Sequence, residues 1–297
     1  MPNKLPNFLI VGAAKCGTTS LHNYLMQHPQ VFMSKVKEPK YFSSQVVEFP
    51  FKGLGDDLVE SELYKNFSDY KVLFSDSKDE KIIGESSADN LYYSSQVIPL
   101  IKEKLGDDIK IIILLRNPIQ RAYSAYMHLK RDLREEEENF QAALALEQER
   151  IANNYEFIWH YKKAGLYSQD IINYQKAFKN VKVILNDDLK KEPEQELEQI
   201  CNFLEIDKDF EFNLEQNFNS SGAIKNKFLQ KILASRSPSK RKLGKLIPSA
   251  IKDKLKSKNL KKVKLSDNDR KTLSLYYKDE IQKIEKLLNR DLSNWLN

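Results

Sequence analysis

The sequence is poor in cysteine, in histidine and in long apolar runs. It has two cysteines, Cys16 and Cys201, which is too few for a framework of several disulfides and typical of a reducing compartment, so we expect a cytoplasmic protein. Its four histidines and two cysteines show no metal-ligand spacing, so no metal site is expected. No stretch approaches the ~20 apolar residues of a membrane span, and the N-terminal residues lack the pattern of a secretory signal. These absences exclude disulfide-rich and membrane-spanning classes and favour a soluble globular protein.

Positive charge is concentrated in one segment of the chain. The formal net charge is +6. Residues 240–264 contain eleven Lys or Arg and one Asp, a net charge of +10, which leaves −4 for the remainder. A mildly acidic protein with one basic segment does not have the pattern of a nucleic-acid-binding protein. We expect 240–264 to be a solvated helical tail; the alternative is peripheral contact with an anionic membrane, since its leucines and isoleucines are near helical spacing.

Apolar runs of strand length alternate with helical patterns along most of the chain. The strongest run, 109–115 (IKIIILL), is typical of a central parallel strand covered on both faces. The alternation predicts an α/β protein with a P-loop-like three-layer fold, in which helices flank a central parallel sheet and a helical tail follows. We expect one domain over 1–297, with its core at about 7–226 and a helical extension at about 227–297. Further strands are predicted at 8–11, 30–33, 81–84 and 181–185, and helices at 60–65, 97–105, 118–131, 168–178, 193–204 and 273–295.

The stretch Phe8–Ser20 (FLIVGAAKCGTTS) has the pattern of a phosphate-binding loop. An apolar strand is followed by small residues, which let the backbone approach a ligand, and then by a helix that begins at Thr18. Such a loop directs backbone N–H groups at one point, where the helix dipole adds positive potential. In the nucleoside-triphosphatase motif GxxxxGK[ST], a Lys directly follows the second Gly. Here Gly12 and Gly17 have that spacing, but Thr18 occupies the Lys position and the Lys lies inside the loop, as Lys15.

The segment GxxKxGTT resembles the 5′-phosphosulfate loop of sulfotransferases that use 3′-phosphoadenylyl sulfate (PAPS). The resemblance implies that the loop binds the 5′ side of PAPS. It also implies that Lys15 neutralises charge on the bridging oxygen as 3′-phosphoadenosine 5′-phosphate (PAP) leaves. The alternative is a tight βα turn with an incidental Lys. The loop residues implicated in nucleotide binding are Gly12, Ala13, Ala14, Lys15, Cys16, Gly17, Thr18, Thr19 and Ser20.

A second motif, LLRNPIQRAYSAY, follows the strongest strand. Arg116 ends that strand and Ser124 lies about two turns into the next helix, so a guanidinium and a hydroxyl are available to bind one phosphate. In the sulfotransferases that the chain resembles, an Arg and a Ser at this spacing hold the 3′-phosphate, the group that distinguishes PAPS from ATP. The alternative is an Arg at a strand end and a Ser on a helix. Weaker matches add further candidates for nucleotide contact: Tyr167 in GLY, and Ser221, Gly222 and Lys225 in NSSGAIKN.

Sulfuryl transfer needs a base for the acceptor proton, and two residues compete for this role. Glu38, in KEPKYF, matches the Glu that serves as base in Golgi-type carbohydrate sulfotransferases. His128 is the nearest counterpart of the His base of cytosolic small-molecule sulfotransferases, but it follows Ser124 on the same helix and its spacing does not fit. We therefore predict Lys15 and Glu38 as the catalytic residues. The alternative for Glu38 is an ordinary surface carboxylate, since clusters of charged residues are usually solvated.

The resemblance covers most of 7–226 and implies a bacterial-type PAPS-dependent enzyme similar to carbohydrate and heparan sulfate sulfotransferases. The implied reaction transfers the sulfuryl group of PAPS to a hydroxyl or amine of a sugar, lipid or small metabolite, without a metal. Ser86 stands where glycosaminoglycan sulfotransferases often have a Lys, which argues against a polyanionic sugar bound in the same manner. The segments 45–80 and 132–163 are expected to shape the acceptor pocket. Two alternatives stay open: a P-loop nucleotide kinase or NTPase, and a non-catalytic PAP-binding or membrane-associated homologue.

Overall fold

Five parallel strands form the central sheet, in the order β2–β3–β1–β4–β5. The computed structural model describes residues 4–215, 223–226, 259–261 and 263–296. β4 lies between β1 and β5, and its last five residues are buried, as expected for a β-branched apolar strand inside a parallel sheet. The strands are β1 (Phe8–Gly12), β2 (Val31–Met33), β3 (Ile82–Ser86), β4 (Lys110–Leu115) and β5 (Val181–Leu185).

Helices flank this sheet, so the predicted fold class is confirmed. One continuous apolar core joins the strands to the inner faces of the longer helices. Short 3-10 turns lie at Phe157–Trp159, Lys163–Gly165 and Ser293–Leu296. The helices are α1 (Thr18–Leu25), α2 (Tyr41–Ser44), α3 (Asp56–Glu60), α4 (Phe67–Val72), α5 (Ser94–Leu105), α6 (Pro118–Arg131), α7 (Phe140–Ala145), α8 (Glu147–Ala152), α9 (Ser168–Ala177), α10 (Asn186–Lys191), α11 (Pro193–Leu204) and α12 (Asp267–Leu288).

Local capping explains where several helices begin and end. α6 begins as predicted at Pro118, and the Asn117 side chain accepts the N–H of Ile119 at 2.9 Å. The predicted helix at 60–65 is wrong: α3 ends before Ser61, and α4 begins only after Asn66, whose backbone is extended. Ser and Asn compete with the helical backbone through their own side chains, which favours breaks at such positions.

The carboxyl ends of β1, β3 and β4 lie side by side at one edge of the sheet. β2 and β3 are on one side of β1, whereas β4 and β5 are on the other, so the chain switches direction across the sheet at β1. Ligands of open α/β sheets bind outside the strand ends at such a switch point. Gly12, Ser86 and Leu115 end these strands, so the loops that follow them share one edge.

The C-terminal part of the described chain packs against this core. β6 (Ala223–Ile224) and β7 (Leu260–Lys261) form a small antiparallel pair. The prediction that 240–264 is helical is therefore wrong at the two residues of β7. The rest of the predicted basic tail up to 258 lies outside the described residues. α12 packs against α6 and α9 and buries Leu273, Tyr277 and Ile281, which confirms the expected C-terminal helix on the core.

Candidate active site

The loop after β1 presents backbone N–H groups at the carboxyl edge of the sheet. Ala13 donates its N–H to the carbonyl of Leu114 on β4 at 2.7 Å, which holds the start of the loop. Gly17 has a φ of 99°, and a Cβ there would lie 2.3 Å from the Asn186 side-chain nitrogen, so the position requires glycine. Such a loop suits an anion. Within the described residues, several of its N–H groups have no protein acceptor: those of Ala14, Lys15, Gly17, Thr18 and Thr19.

Two other predicted loop residues close the turn rather than face outward. The N–H of Cys16 donates to the Ala13 carbonyl at 3.2 Å, and the N–H of Ser20 donates to the Gly17 carbonyl at 3.0 Å. The Cys16 side chain is buried, and burial raises the pKa of its thiol. The Thr18 side chain is also buried, so this residue offers a ligand its backbone N–H.

The loop opens into a cleft of about 260 Å³, referred to below as the central cleft. Besides the loop, residues of five segments that are distant in sequence line the cleft. Its lining residues are Ala14, Lys15, Gly17, Thr18, Thr19, Lys37, Glu38, Lys40, Val59, Ala88, His128, Arg131, Arg134, Glu156, Phe157 and Ile158. Both predicted catalytic residues therefore line the same cleft.

Lys15 brings a basic side chain to this cleft. Burial, followed by the positive charge of Arg131, lowers the pKa of Lys15 to about 7. Its ammonium forms no ion pair within the part of the chain that the structure describes. The residue has a φ of 68°, a conformation that non-glycine residues rarely adopt. A bound phosphate or sulfate would supply the missing negative partner.

Arg116 lies directly against the loop. Its Nη1 donates to the backbone carbonyl of Lys15 at 3.3 Å, and its Nε and Nη2 lie 3.4 and 3.3 Å from the side-chain oxygen of Gln120. The Tyr167 hydroxyl donates to the backbone carbonyl of Arg116 at 3.2 Å and lies 3.6 Å from the sulfur of Cys16. Tyr167 is only 1% exposed, so in this structure it joins the loop to the end of β4. The two sequence motifs thus meet at one place.

The remaining predicted nucleotide contacts lie around α6. Ser124 is largely buried on α6, one helical turn before His128. Lys225 is exposed, and its N–H donates to the carbonyl of Asn259 at 2.7 Å, directly after β6, which packs against α6. Ser221 and Gly222 lie outside the described residues. Their roles, and that of Lys225 in binding phosphate, stay predictions.

Glu38 is held as a carboxylate by its surroundings. Its carboxylate accepts the N–H of Ala88 at 2.9 Å and lies 2.5 Å from the Nζ of Lys37. Burial opposes its ionisation, but the charges of Lys37 and Lys40 outweigh burial and hold the pKa of Glu38 below its ordinary value. The backbone N–H of Glu38 donates to the carbonyl of Ser86 at 2.9 Å, which fixes it to the end of β3. Glu38 is therefore ionised at neutral pH and available to accept a proton.

Lys40 is a largely buried lysine that lines the central cleft. Its Nζ forms an ion pair with Glu156 at 2.9 Å and lies 4.0 Å from the carboxylate of Asp89. Burial disfavours its charge, but these carboxylates outweigh burial and raise the pKa of Lys40. Lys35, by contrast, is exposed and pairs with the exposed Asp76.

Behind Glu38, the residues after β3 form a buried polar network. Ser87 donates its hydroxyl to Glu85 at 2.7 Å and accepts the backbone N–H of Lys40 at 3.0 Å. Burial raises the pKa of Glu85 to about 8 and that of Asp89 to about 6, and the negative charge of Glu38 adds to both shifts. The segment after β3 thus supports the Glu38 and Lys40 backbones.

His128 also lines the central cleft, which the sequence interpretation missed. Its spacing does not match that of a catalytic His, yet α6 carries it to the cleft beside Lys15. Burial, followed by the charges of Lys15 and Arg131, holds the pKa of His128 well below its ordinary value, so its imidazole is neutral. Arg131 Nη2 lies 2.6 Å from its Nδ1. The i, i+4 relation to Ser124 was the available signal for a shared helix face.

The wall opposite the loop comes from the segments expected to shape an acceptor pocket. Val59, Phe157 and Ile158 give it an apolar surface. Asp56 is fully buried and holds this wall together: it accepts the indole N–H of Trp159 and the backbone N–H of Glu156, each at 2.9 Å, and pairs with Arg134. These segments therefore contribute both apolar residues and the cation of Arg134 to the lining of the cleft.

In the part of the chain that the structure describes, no group of three or more His, Cys, Asp or Glu side chains could hold a metal ion. None of the helices in those same ranges has the length and apolar character needed to cross a membrane.

Comparisons with known proteins identify the family. The model of the Sulfotransferase domain matches residues 5–244. The crystal structure of a sulfotransferase from Alicyclobacillus acidocaldarius superposes with a TM-score of 0.80 at 32% identity, covering 99% of this chain and 100% of that one.

Two curated relatives match a shorter region. Bifunctional heparan sulfate N-deacetylase/N-sulfotransferase 2 of Homo sapiens is 32% identical over 126 residues, which is 42% of this chain and 13% of that protein. Carbohydrate sulfotransferase 15 of Mus musculus is 27% identical over 152 residues, 42% of this chain and 27% of that protein. The chain thus spans only a small part of the length of these relatives. Because the domain match extends over most of the chain and includes both sequence motifs, the chain belongs to the sulfotransferase family.

Proposed function

We propose that this protein transfers the sulfuryl group of PAPS to a hydroxyl or amine of an acceptor. The observation that carries the proposal is the hydrogen bond from Arg116 to the Lys15 carbonyl. It joins the loop that resembles a 5′-phosphosulfate site to the motif that resembles a 3′-phosphate site. A single nucleotide with phosphates on both its 3′ and 5′ oxygens is the ligand that would use both.

The residues present fit such a donor. The N–H groups of the loop that lack a protein acceptor would bind the 5′-phosphosulfate, and the Lys15 ammonium would balance its charge. Arg116 and Ser124 would hold the 3′-phosphate. Tyr167 donates a hydrogen bond to the backbone carbonyl of Arg116, and this contact would help to hold the two proposed phosphate sites at a constant separation.

The proposed chemistry uses the two sides of the central cleft. Glu38 accepts the proton of the acceptor hydroxyl or amine as that oxygen or nitrogen forms its bond to sulfur. The bond between sulfur and the bridging phosphate oxygen breaks, and Lys15 stabilises the negative charge that develops on this oxygen as PAP leaves. Glu38 is ionised before the reaction, as a base must be. Lys15 and Glu38 line the same cleft, and in-line transfer would place the sulfuryl group between them.

The acceptor we propose is a sugar, a lipid or a small metabolite. The names of the two curated relatives, one a heparan sulfate N-sulfotransferase and the other a carbohydrate sulfotransferase, favour a carbohydrate. The apolar lining residues Val59, Phe157 and Ile158 would pack against a sugar face or an acyl chain. We further propose that the protein acts in the cytoplasm, and that the basic segment 240–264 is the part to test for contact with anionic lipid.

Transfer of labelled sulfate from PAPS to a panel of sugars, lipids, amines and phenols tests the proposal. We expect a labelled product with at least one acceptor and the release of PAP. The Lys15→Ala and Glu38→Gln variants serve as matched negative controls. A protein that binds PAP but labels no acceptor would instead be a non-catalytic PAP-binding homologue. Equal affinities for ADP and PAP would contradict the proposed 3′-phosphate site.

A further inference from the structure

The C-terminal segment 267–296 binds the immediate neighbours of two nucleotide-site residues. Asn117 follows Arg116, and its Nδ2 donates to the backbone carbonyl of Trp295 at 2.8 Å. Ser168 follows Tyr167, and its N–H and hydroxyl donate to the Glu280 carboxylate at 2.6 and 2.9 Å. Arg116 and Tyr167 are themselves joined by a hydrogen bond, so the same segment holds both ends of this pair.

A third contact joins α12 to the residues that precede Tyr167 in the chain. The hydroxyl of Tyr277 on α12 donates to the carbonyl of Lys162 at 2.7 Å. Gly165 packs against the same ring, where an added Cβ would lie 2.6 Å from the Tyr277 oxygen. Residues 162–168 therefore follow the surface of α12, and a displacement of α12 would displace Tyr167.

Glu280 contacts residues 162–168 through its carboxylate, which accepts two hydrogen bonds from Ser168. It is 6% exposed, and its carboxylate lies at the N-terminus of the ten-residue helix α9, where the helix dipole stabilises negative charge. Its removal would leave the N–H and hydroxyl of Ser168 buried without their acceptor, which is costly in a protein interior. Relief of that cost requires residues 166–168 to move.

We propose that the segment 267–296 positions Arg116 and Tyr167 for the 3′-phosphate of the nucleotide, with Glu280 as its main positioning residue. This segment lies beyond residue 244, where the match to the family domain ends. The inference rests on the proposed function, because it assigns the 3′-phosphate to Arg116. The connection runs from Glu280 to Ser168, through the Tyr167 hydroxyl, to the backbone of Arg116.

The test compares the affinities of PAP and 5′-AMP, which differ in the 3′-phosphate, for four full-length proteins by calorimetry. These are the wild type, Glu280→Ala, Tyr277→Phe, and Asp279→Ala as the matched control. Asp279 is an exposed carboxylate on the same helix, so its removal changes the charge of α12 without touching Ser168. We expect Glu280→Ala to weaken PAP binding by about tenfold, and Tyr277→Phe by a smaller factor, with 5′-AMP binding changed less than twofold.

The outcomes separate this inference from the proposed function. A wild type that binds 5′-AMP as tightly as PAP overturns both. A wild type that prefers PAP, with the same preference retained in Glu280→Ala and Tyr277→Phe, overturns only the positioning role. Loss of thermal stability with an unchanged ratio of the two affinities also overturns it, because that is the result of a purely structural contact. If Glu280→Ala does not fold, the ratio of the affinities for PAP and 5′-AMP in Glu280→Gln and Tyr277→Phe tests the positioning role instead.

Discussion

The guanidinium of Arg116 donates a hydrogen bond to the backbone carbonyl of Lys15, a residue that precedes it by 101 positions. The contact exists because β4 lies beside β1 in the sheet, so the loops that follow these strands leave the same edge. Neither motif identifies a doubly phosphorylated nucleotide by itself. Their contact makes one ligand that touches both the simplest explanation of the two patterns.

Arg116→Ala should remove the preference for PAP over ADP. PAP at ~100 times its dissociation constant should stabilise the wild-type protein by ~2.7 kcal/mol, which a thermal shift measures. Without the guanidinium, PAP and ADP should give equal shifts. Arg116→Lys keeps the charge but loses the bidentate hydrogen-bonding geometry of the guanidinium. Its preference for PAP over ADP should therefore lie between those of the wild type and Arg116→Ala. An Arg116→Ala protein that still prefers PAP would place the 3′-phosphate elsewhere.

Binding of PAP should be accompanied by proton uptake at Lys15. The pKa of Lys15 is lowered to about 7, so at pH 8 its amine is mostly neutral in the free protein. A phosphate placed beside it favours the ammonium and raises the pKa, so complex formation at pH 8 takes up close to one proton. Calorimetry in two buffers of different ionisation enthalpy measures this number. Lys15→Met should bind PAP more weakly and without uptake; equal uptake in both proteins would assign the proton to another group.

Glu38→Gln should reduce the rate constant of transfer by ~10²–10⁴-fold while changing PAP affinity little. Because the pKa of Glu38 is held below its ordinary value, the carboxylate is lost only at acidic pH, and on the acid side the wild-type rate should not fall until the pH is below the ordinary pKa of a glutamate. His128→Gln is the matched comparison, since His128 lines the same cleft. A larger loss in His128→Gln than in Glu38→Gln would make the histidine the base.

Glu156→Gln should destabilise the fold by about 3 kcal/mol, because it leaves the buried Lys40 charge without its main partner. Lys35→Ala is the control. Its ion pair with Asp76 is exposed, so its removal should change the free energy of unfolding by less than about 1 kcal/mol. Urea denaturation of the two variants measures both values. Similar effects in both would mean that Lys40 is compensated by Asp89 alone.

The sheet and the loop were predictable because their signals are local. The run at β4, the small residues between Gly12 and Gly17, and the Asn117–Pro118 helix start each lie within a few residues of one another. The resemblance added the role of Arg116, and the strand order then brought it to Lys15.

The composition of the central cleft was less predictable because it depends on contacts between distant residues. Lys40 reads as a surface lysine until Glu156, 116 positions later, is seen to pair with it. The spacing of His128 does not match that of the catalytic His in other sulfotransferases, so it is not predicted to be in the site. Its position on α6, however, depends only on helical periodicity. The attachment of Ser168 to Glu280 has no local signal, since its partners are 112 residues apart.

The backbone conformations of Lys15, Glu38 and Lys40 have a consequence for engineering this protein. All three have a positive φ, at 68°, 61° and 54°, which costs a residue with a side chain about 1 kcal/mol or more relative to a relaxed backbone. Glycine would relieve that cost at each position but would remove a charge from the cleft. A selection for thermal stability alone would therefore tend to erase these side chains, and thermostable variants should be screened for turnover from the first round.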